Sequence, residues 1–166
     1  FEAGLPTLYF VREAGDELRS WSAPIAMRYG LTDKFELRAS LPTWTSVRAE
    51  SGTAVATDEG FTDAEIGAKY ALSPDSASPL ALQCSLHLPT GEDGFTTDDW
   101  GGSAYLLKGD DLGNSYFLQT MLGVTYSPVS GADDLTAGAL AALVSHPIAE
   151  GWSGYVEATA LPGLQH

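Results

Sequence analysis

The chain has 166 residues, one domain's worth, with 22 Asp and Glu against 8 Lys and Arg and a formal charge of −14. That balance leaves no basic surface to neutralise phosphates, which excludes nucleic acid as a partner class. The single cysteine, Cys84, excludes an intrachain disulfide or a cysteine-based metal cage. No apolar run reaches the roughly 20 residues of a membrane-crossing helix, whereas a crossing strand needs only about 9–11 residues of alternating pattern. A bilayer therefore stays open to this sequence, through strands alone. No signal peptide opens the chain, as expected of a mature form or a fragment.

Phe1 to Arg12 alternates and predicts a strand, which Pro6 weakens. After a short acidic loop, Leu18 to Trp44 reads as a hairpin. Trp21, Ala23, Ile25, Met27 and Tyr29 alternate with polar or small residues in its first arm, and Phe35, Leu37, Ala39 and Leu41 oppose Glu36, Arg38 and Ser40 in its second. Gly30 to Lys34 supplies the turn. Residues 45–62 are polar without a period and read as a long loop. Alternation returns in Asp63 to Leu72, with Ile66, Ala68 and Tyr70 opposite Glu65, Gly67 and Lys69. It is cleanest in Leu80 to Thr90, where Leu80, Leu82, Cys84, Leu86 and Leu88 oppose Gln83, Ser85 and His87.

A second long acidic loop covers 91–102. Ser103 to Lys108 and Tyr116 to Tyr126 form a hairpin around a turn at 109–114, Pro128 to Leu135 is a third loop, and Thr136 to His146 is an Ala-rich strand whose faces cannot be assigned from its pattern. A turn at 147–151 leads into Trp152 to Ala160, where Trp152, Val156 and Ala158 oppose Ser153, Tyr155 and Glu157. Nine strands follow from this reading. Short turns alternate with longer loops along the chain, and in an up-and-down meander that puts all the turns at one end and all the loops at the other.

On the apolar faces Tyr29, Phe35, Tyr70, Tyr116 and Trp152 fall at the turn end, and Trp21, Tyr105 and Tyr126 at the loop end. Ten residues from Tyr116 to Tyr126, at about 3.3 Å each and a tilt near 40°, span roughly 25 Å, the height of a lipid-facing band between aromatic girdles.

The stretches YGLTDKFELRASLPTW, GFTDAEIGAKYAL, LALQCSLHLPTGEDGF and SHPIAEGWSGYVEA, in that order over nearly the whole chain, resemble the outer-membrane transporters associated with phenol-degradation gene clusters, the MetA-pathway family. The resemblance implies a porin-like antiparallel transmembrane barrel in a bacterial outer membrane that passes small, often hydrophobic or aromatic, organic solutes. Single-chain barrels of bacteria close with an even number of strands, and the resemblance implies about 12, so nine strands predict a piece lacking C-terminal ones.

The residues expected to line the lumen are Glu36, Arg38, Glu65, Lys69, Gln83, His87, Lys108, Gln119 and Glu157, a mixed-charge set able to pair across strands and to set the field a solute crosses. Loops 45–62 and 91–102 are expected to filter entry. The alternative is a soluble secreted β-barrel that binds an apolar ligand, its faces exchanged. Ser85 and His87 share a face, but no orienting carboxylate is marked by sequence, so a hydrolase has little to stand on and no enzyme is expected. Glu92, Asp93, Asp98 and Asp99 lack the spacing of a calcium loop. No cofactor motif or metal-ligand spacing is present. The expected partners are membrane lipid and a small organic solute, and the pattern does not specify an oligomeric state.

Overall fold

The computed structural model describes residues 2–3, 7–13, 16–51, 54–73, 78–128 and 134–160. Among them are thirteen strands and no helix: β1 (Glu2–Ala3), β2 (Thr7–Glu13), β3 (Asp16–Ser22), β4 (Ile25–Gly30), β5 (Phe35–Ser40), β6 (Trp44–Ser51), β7 (Ala54–Phe61), β8 (Ala64–Ala71), β9 (Leu80–Leu88), β10 (Gly101–Gly113), β11 (Tyr116–Ser127), β12 (Leu135–Ala149) and β13 (Trp152–Ala160). Every pairing is antiparallel.

One sheet has the order β1-β4-β5-β8-β9-β10-β11-β12-β13 and a second the order β2-β3-β6-β7. The four strands of the second are the continuations of the first four passes of the other, since β2 follows β1, β3 leads into β4, β5 into β6, and β7 into β8. Pro24 and Pro42 sit at two of the interruptions, where a residue without an N–H cannot extend the ladder. The chain thus makes nine passes in an up-and-down meander, as the alternation predicts. The wide sheet is open in the described residues, with β1 and β13 as its two edges.

The connections differ from expectation in two places. Residues 45–62 are not a loop but the β6–β7 hairpin, in register from Trp44 opposite Phe61 to Ser51 opposite Ala54. Polar composition concealed it, because backbone pairing needs no apolar face. The turn at 109–114 contracts to Asn114 and Ser115, since β10 runs on to Gly113. Both residues have positive φ, 52° and 64°, the requirement of the two-residue hairpin turn whose twist matches its strands. Residues 129–133 of the third loop, residues 74–77 between β8 and β9, Pro6 and the last residues from 161 on lie outside the described residues.

Directly opposed residues of an antiparallel pair share a face, so the register sorts every side chain. Phe35, Tyr70, Leu82, Leu106, Leu122 and Leu140 form one unbroken row across six strands, with Met27, Ala39, Ile66 and Leu86 in a parallel row. The opposite face carries Glu36, Lys69, Gln83, Tyr105, Gly123 and Ala139 in one row, and Ser40, Glu65 and His87 in another. The register also assigns β12: Leu140 and Val144 join the leucine face, and Leu143 the other. Two assignments change. Lys108 lies opposite Leu80 and Thr120, on the leucine face, and Tyr105 lies opposite Gln83 and Gly123, on the charged face. In Tyr105-Leu106-Leu107-Lys108 both parities are largely apolar, so the pattern alone could not set the phase.

Among the described residues no second layer covers the leucine face. Ile66 is 51% exposed, Leu82 42% and Leu122 59%, and among the described residues Ala139 is the sole buried hydrophobic one. Four leucines of the central row, each worth about 1.5–3 kcal/mol if fully buried, remain uncovered.

Glycines on the charged face are filled from neighbouring strands. The Tyr105 ring overlies Gly123 and the Phe117 ring overlies Gly109, while Tyr105 also meets the Thr125 hydroxyl at 2.9 Å. A Cβ at Gly67 would come within 2.6 Å of the Cys84 carbonyl oxygen and 2.8 Å of Ser85 Oγ, whereas one at Gly30 would meet nothing within 4 Å. We predict that Gly67→Ala lowers stability by about 1–3 kcal/mol, the cost of overpacking against backbone, and that Gly30→Ala shifts it by less than about 0.5 kcal/mol. Urea unfolding of the two variants checks the contrast.

Candidate functional site

The charged face divides into two regions. Over β5, β8 and β9 it is a polar lattice. Arg38, Gly67 and Ser85 occupy one row, and because Gly67 has no side chain the Arg38 guanidinium reaches across β8 to donate to Gln83 Oε1. Its Nε also lies 3.6 Å from Glu36 Oε1. In the next row toward the loops, His87 Nε2 is 3.2 Å from Glu65 Oε2. These charged groups are better covered than the leucines behind them, with Arg38 at 30% and His87 at 24% side-chain exposure. Ser85 is buried, yet its Oγ has no hydrogen-bond partner. With His87 turned to Glu65, no Ser–His dyad forms.

From β8 to β13 the same face hollows into a cavity of about 460 Å³. Leu107, Phe117, Met121 and Leu143 supply its apolar lining, and Lys69, Gln119 and Glu157 its polar groups. Ala71, Ala81 and Ala141 lie between the larger side chains and give it depth. Sequence alternation picks out the three polar residues but misses the apolar patch, because Leu107 shares the parity of Tyr105 and looks like a leucine-face residue until the register is known. The leucine face carries its own open groove, about 810 Å³, lined by Met27, Tyr29, Leu37, Ile66 and Leu86 among others.

The loop after β9 is fastened at the junction of β7 and β8. Asp63 Oδ1 accepts from the backbone N–H of Thr90 at 3.0 Å and of Gly91 at 2.8 Å. Its Oδ2 accepts from the Thr97 N–H at 2.9 Å and the Thr97 hydroxyl at 3.0 Å. The loop also gives the Glu92 N–H to the Phe61 carbonyl at 2.9 Å, and Phe95 lies against Gly60, the nearest place a Cβ there would collide. Gly60 is opposite Thr45, which the packing buries, while Trp44 and Phe61 have the other parity. Trp44 packs edge-on against Trp21 with ring centroids 5.2 Å apart. The loop therefore covers the face of the β6–β7 hairpin opposite its large aromatic residues. Burial acts to raise the Asp63 pKa, but the hydrogen bonds from the Thr97 and Gly91 backbone and from the Thr96 and Thr97 hydroxyls outweigh it and hold the carboxyl below its ordinary value.

Of the nine residues expected to line a lumen, eight share the charged face. Glu36, Arg38 and Gln83 form one cluster and Glu65 with His87 another, while Lys69, Gln119 and Glu157 border the cavity. Lys108 is the exception: it sits at the leucine-face rim with its Nζ 2.6 Å from both carboxylate oxygens of Asp110. The acidic residues of the loop do not converge, and among the described residues no three of His, Cys, Asp and Glu come together as a metal site. No family model, curated protein or solved structure matches the chain.

Because the folded Asp63 carboxyl titrates below its ordinary value of 3.8, its stabilisation is present above that value and is lost only as pH falls through the lower, folded one. Hydrogen exchange is expected to show the Gly91 and Thr97 amides protected from neutral pH down to about 4, opening in stronger acid. Asp63→Asn, which replaces an accepting oxygen by a donor, is expected to speed exchange at these amides at least tenfold at neutral pH, as loss of a charge-assisted bond of about 1.5–3 kcal/mol implies.

Proposed function

We propose that the chain forms the wall of a transmembrane β-barrel in a bacterial outer membrane and passes small organic solutes, hydrophobic or aromatic ones among them, by passive diffusion. One observation carries this reading: the leucine row is exposed, and the ionised groups of the Arg38 and His87 clusters behind it are more covered. In water that arrangement leaves a broad apolar band uncovered, the mark of a membrane or partner surface. In lipid it is the stable arrangement, with apolar side chains outward and polar ones inward on alternate positions.

The ends of the passes fit the same setting. Tyr29, Tyr70, Tyr116 and Trp152 are exposed at the turn end of the leucine face, and Tyr126 at the loop end, where Trp21, Trp44 and Phe61 are exposed on the second sheet. Such rings suit the two interfaces of a bilayer. Hydrocarbon admits no open sheet edge, so β1 and β13 are both paired in that setting. Solutes would cross along the Arg38 lattice and the apolar cavity, with the Asp63-fastened loop narrowing the route.

The reading predicts that the protein extracts only with detergent and that, reconstituted in liposomes, it admits small aromatic solutes at least tenfold faster than protein-free vesicles. A protein that stays soluble and monomeric without detergent, or liposomes that remain tight, contradicts it.

A further inference from the structure

Two of the groups bordering the cavity, and one beside it, already have partners. Lys108 is held by Asp110, Glu157 accepts from the Thr159 hydroxyl at 3.1 Å on the exposed edge strand, and Gln83, which opposes Lys69 on one side, takes the Arg38 guanidinium. Glu36 opposes Lys69 on the other side, with its Oε1 3.6 Å from Arg38 Nε and making no hydrogen bond. Lys69 is left. It is half-buried at the β8 wall of the cavity, and among the described residues it makes no hydrogen bond or ion pair. A partly covered ammonium beside an apolar surface is costly until an anion meets it, and a charge-assisted bond to a carboxylate is among the stronger polar contacts a protein makes.

We propose that this cavity binds a small organic anion, a carboxylate carried on an apolar body. The carboxylate meets Lys69 Nζ, and the Gln119 amide, on β11 with two strands between them, lines the same cavity. The body lies over Leu107, Met121 and Leu143. A volume of about 460 Å³ lies within the range of small-molecule pockets and suits a body of about six to eight carbons. Glu157 does not oppose this assignment, because it stands at the far rim on β13 and Lys69 on β8, with four strands between them. The proposal rests on the charged face being the interior through which solutes pass, and it names their class.

Calorimetry on the protein in nanodiscs, with empty nanodiscs subtracted, tests it using hexanoate, hexanol and hexylammonium. Hexanoate is expected to bind at least tenfold more tightly than either of the others. Lys69→Met is expected to lose at least tenfold in hexanoate affinity while leaving hexanol unchanged, and Lys69→Arg to retain most of it. Equal binding of hexylammonium, or a Lys69→Met variant that binds hexanoate as the parent does, overturns the proposal. Flux separates the two ideas: binding to a protein that leaves liposomes tight removes the channel and keeps the site, and a conducting protein indifferent to Lys69 removes the site alone.

Discussion

A β-strand pairs through its backbone and sorts its side chains by parity, so in an antiparallel sheet the register decides which residues share a surface. Here that constraint runs unbroken from β4 to β13, and it places Leu82, Leu106, Leu122 and Leu140 side by side with nothing above them. Ordinary domains fold by burying such a surface against a second layer. Among the described residues this sheet has no second layer, and its stability in any solvent depends on what meets the leucine row. The charged groups collect behind the row, where Arg38 reaches Gln83 and Glu65 meets His87 across strands.

The charged face is not uniform. Over β5, β8 and β9 it is held together by polar contacts that exist because Gly67 leaves a gap for Arg38 to cross. Farther along, aromatic rings over Gly109 and Gly123 close the surface, and small alanines beside Leu107, Met121 and Leu143 open a hollow. Substitution of a glycine on this face therefore changes the shape of the charged surface as well as the strand. The Asp63 fastening adds a rigid loop over one end of the passes, and its strength comes from a single carboxylate accepting from both ends of the loop.

Much of this was legible from residues alone, and where it was not the reasons are physical. Strands such as Leu80–Leu88, with a leucine or cysteine at every second position, declare both their existence and their phase. Segments that are apolar on both parities, such as Tyr105 to Lys108, declare a strand but not a phase, which is why Lys108 and Tyr105 exchange faces. The β6–β7 hairpin was hidden for the opposite reason, since a strand exposed on both sides needs no apolar residues. The cavity was invisible because it depends on which strands are neighbours and on a register that no single strand encodes. The Asp63 fastening likewise joins residues 63 and 97, a separation that local pattern does not reach.

The inversion of the faces is tested most directly by spin labels placed one at a time along β9 and β11, at Leu82, Gln83, Gln119 and Leu122 in a Cys84→Ser background, with the protein in lipid bilayers. Collision with oxygen, which concentrates in hydrocarbon, is compared with collision with a water-soluble nickel chelate. Labels at Leu82 and Leu122 are expected to favour oxygen and those at Gln83 and Gln119 the chelate, so that accessibility alternates with residue parity. Chelate-dominated signals at Leu122, or no alternation along either strand, would show that the leucine row does not face lipid.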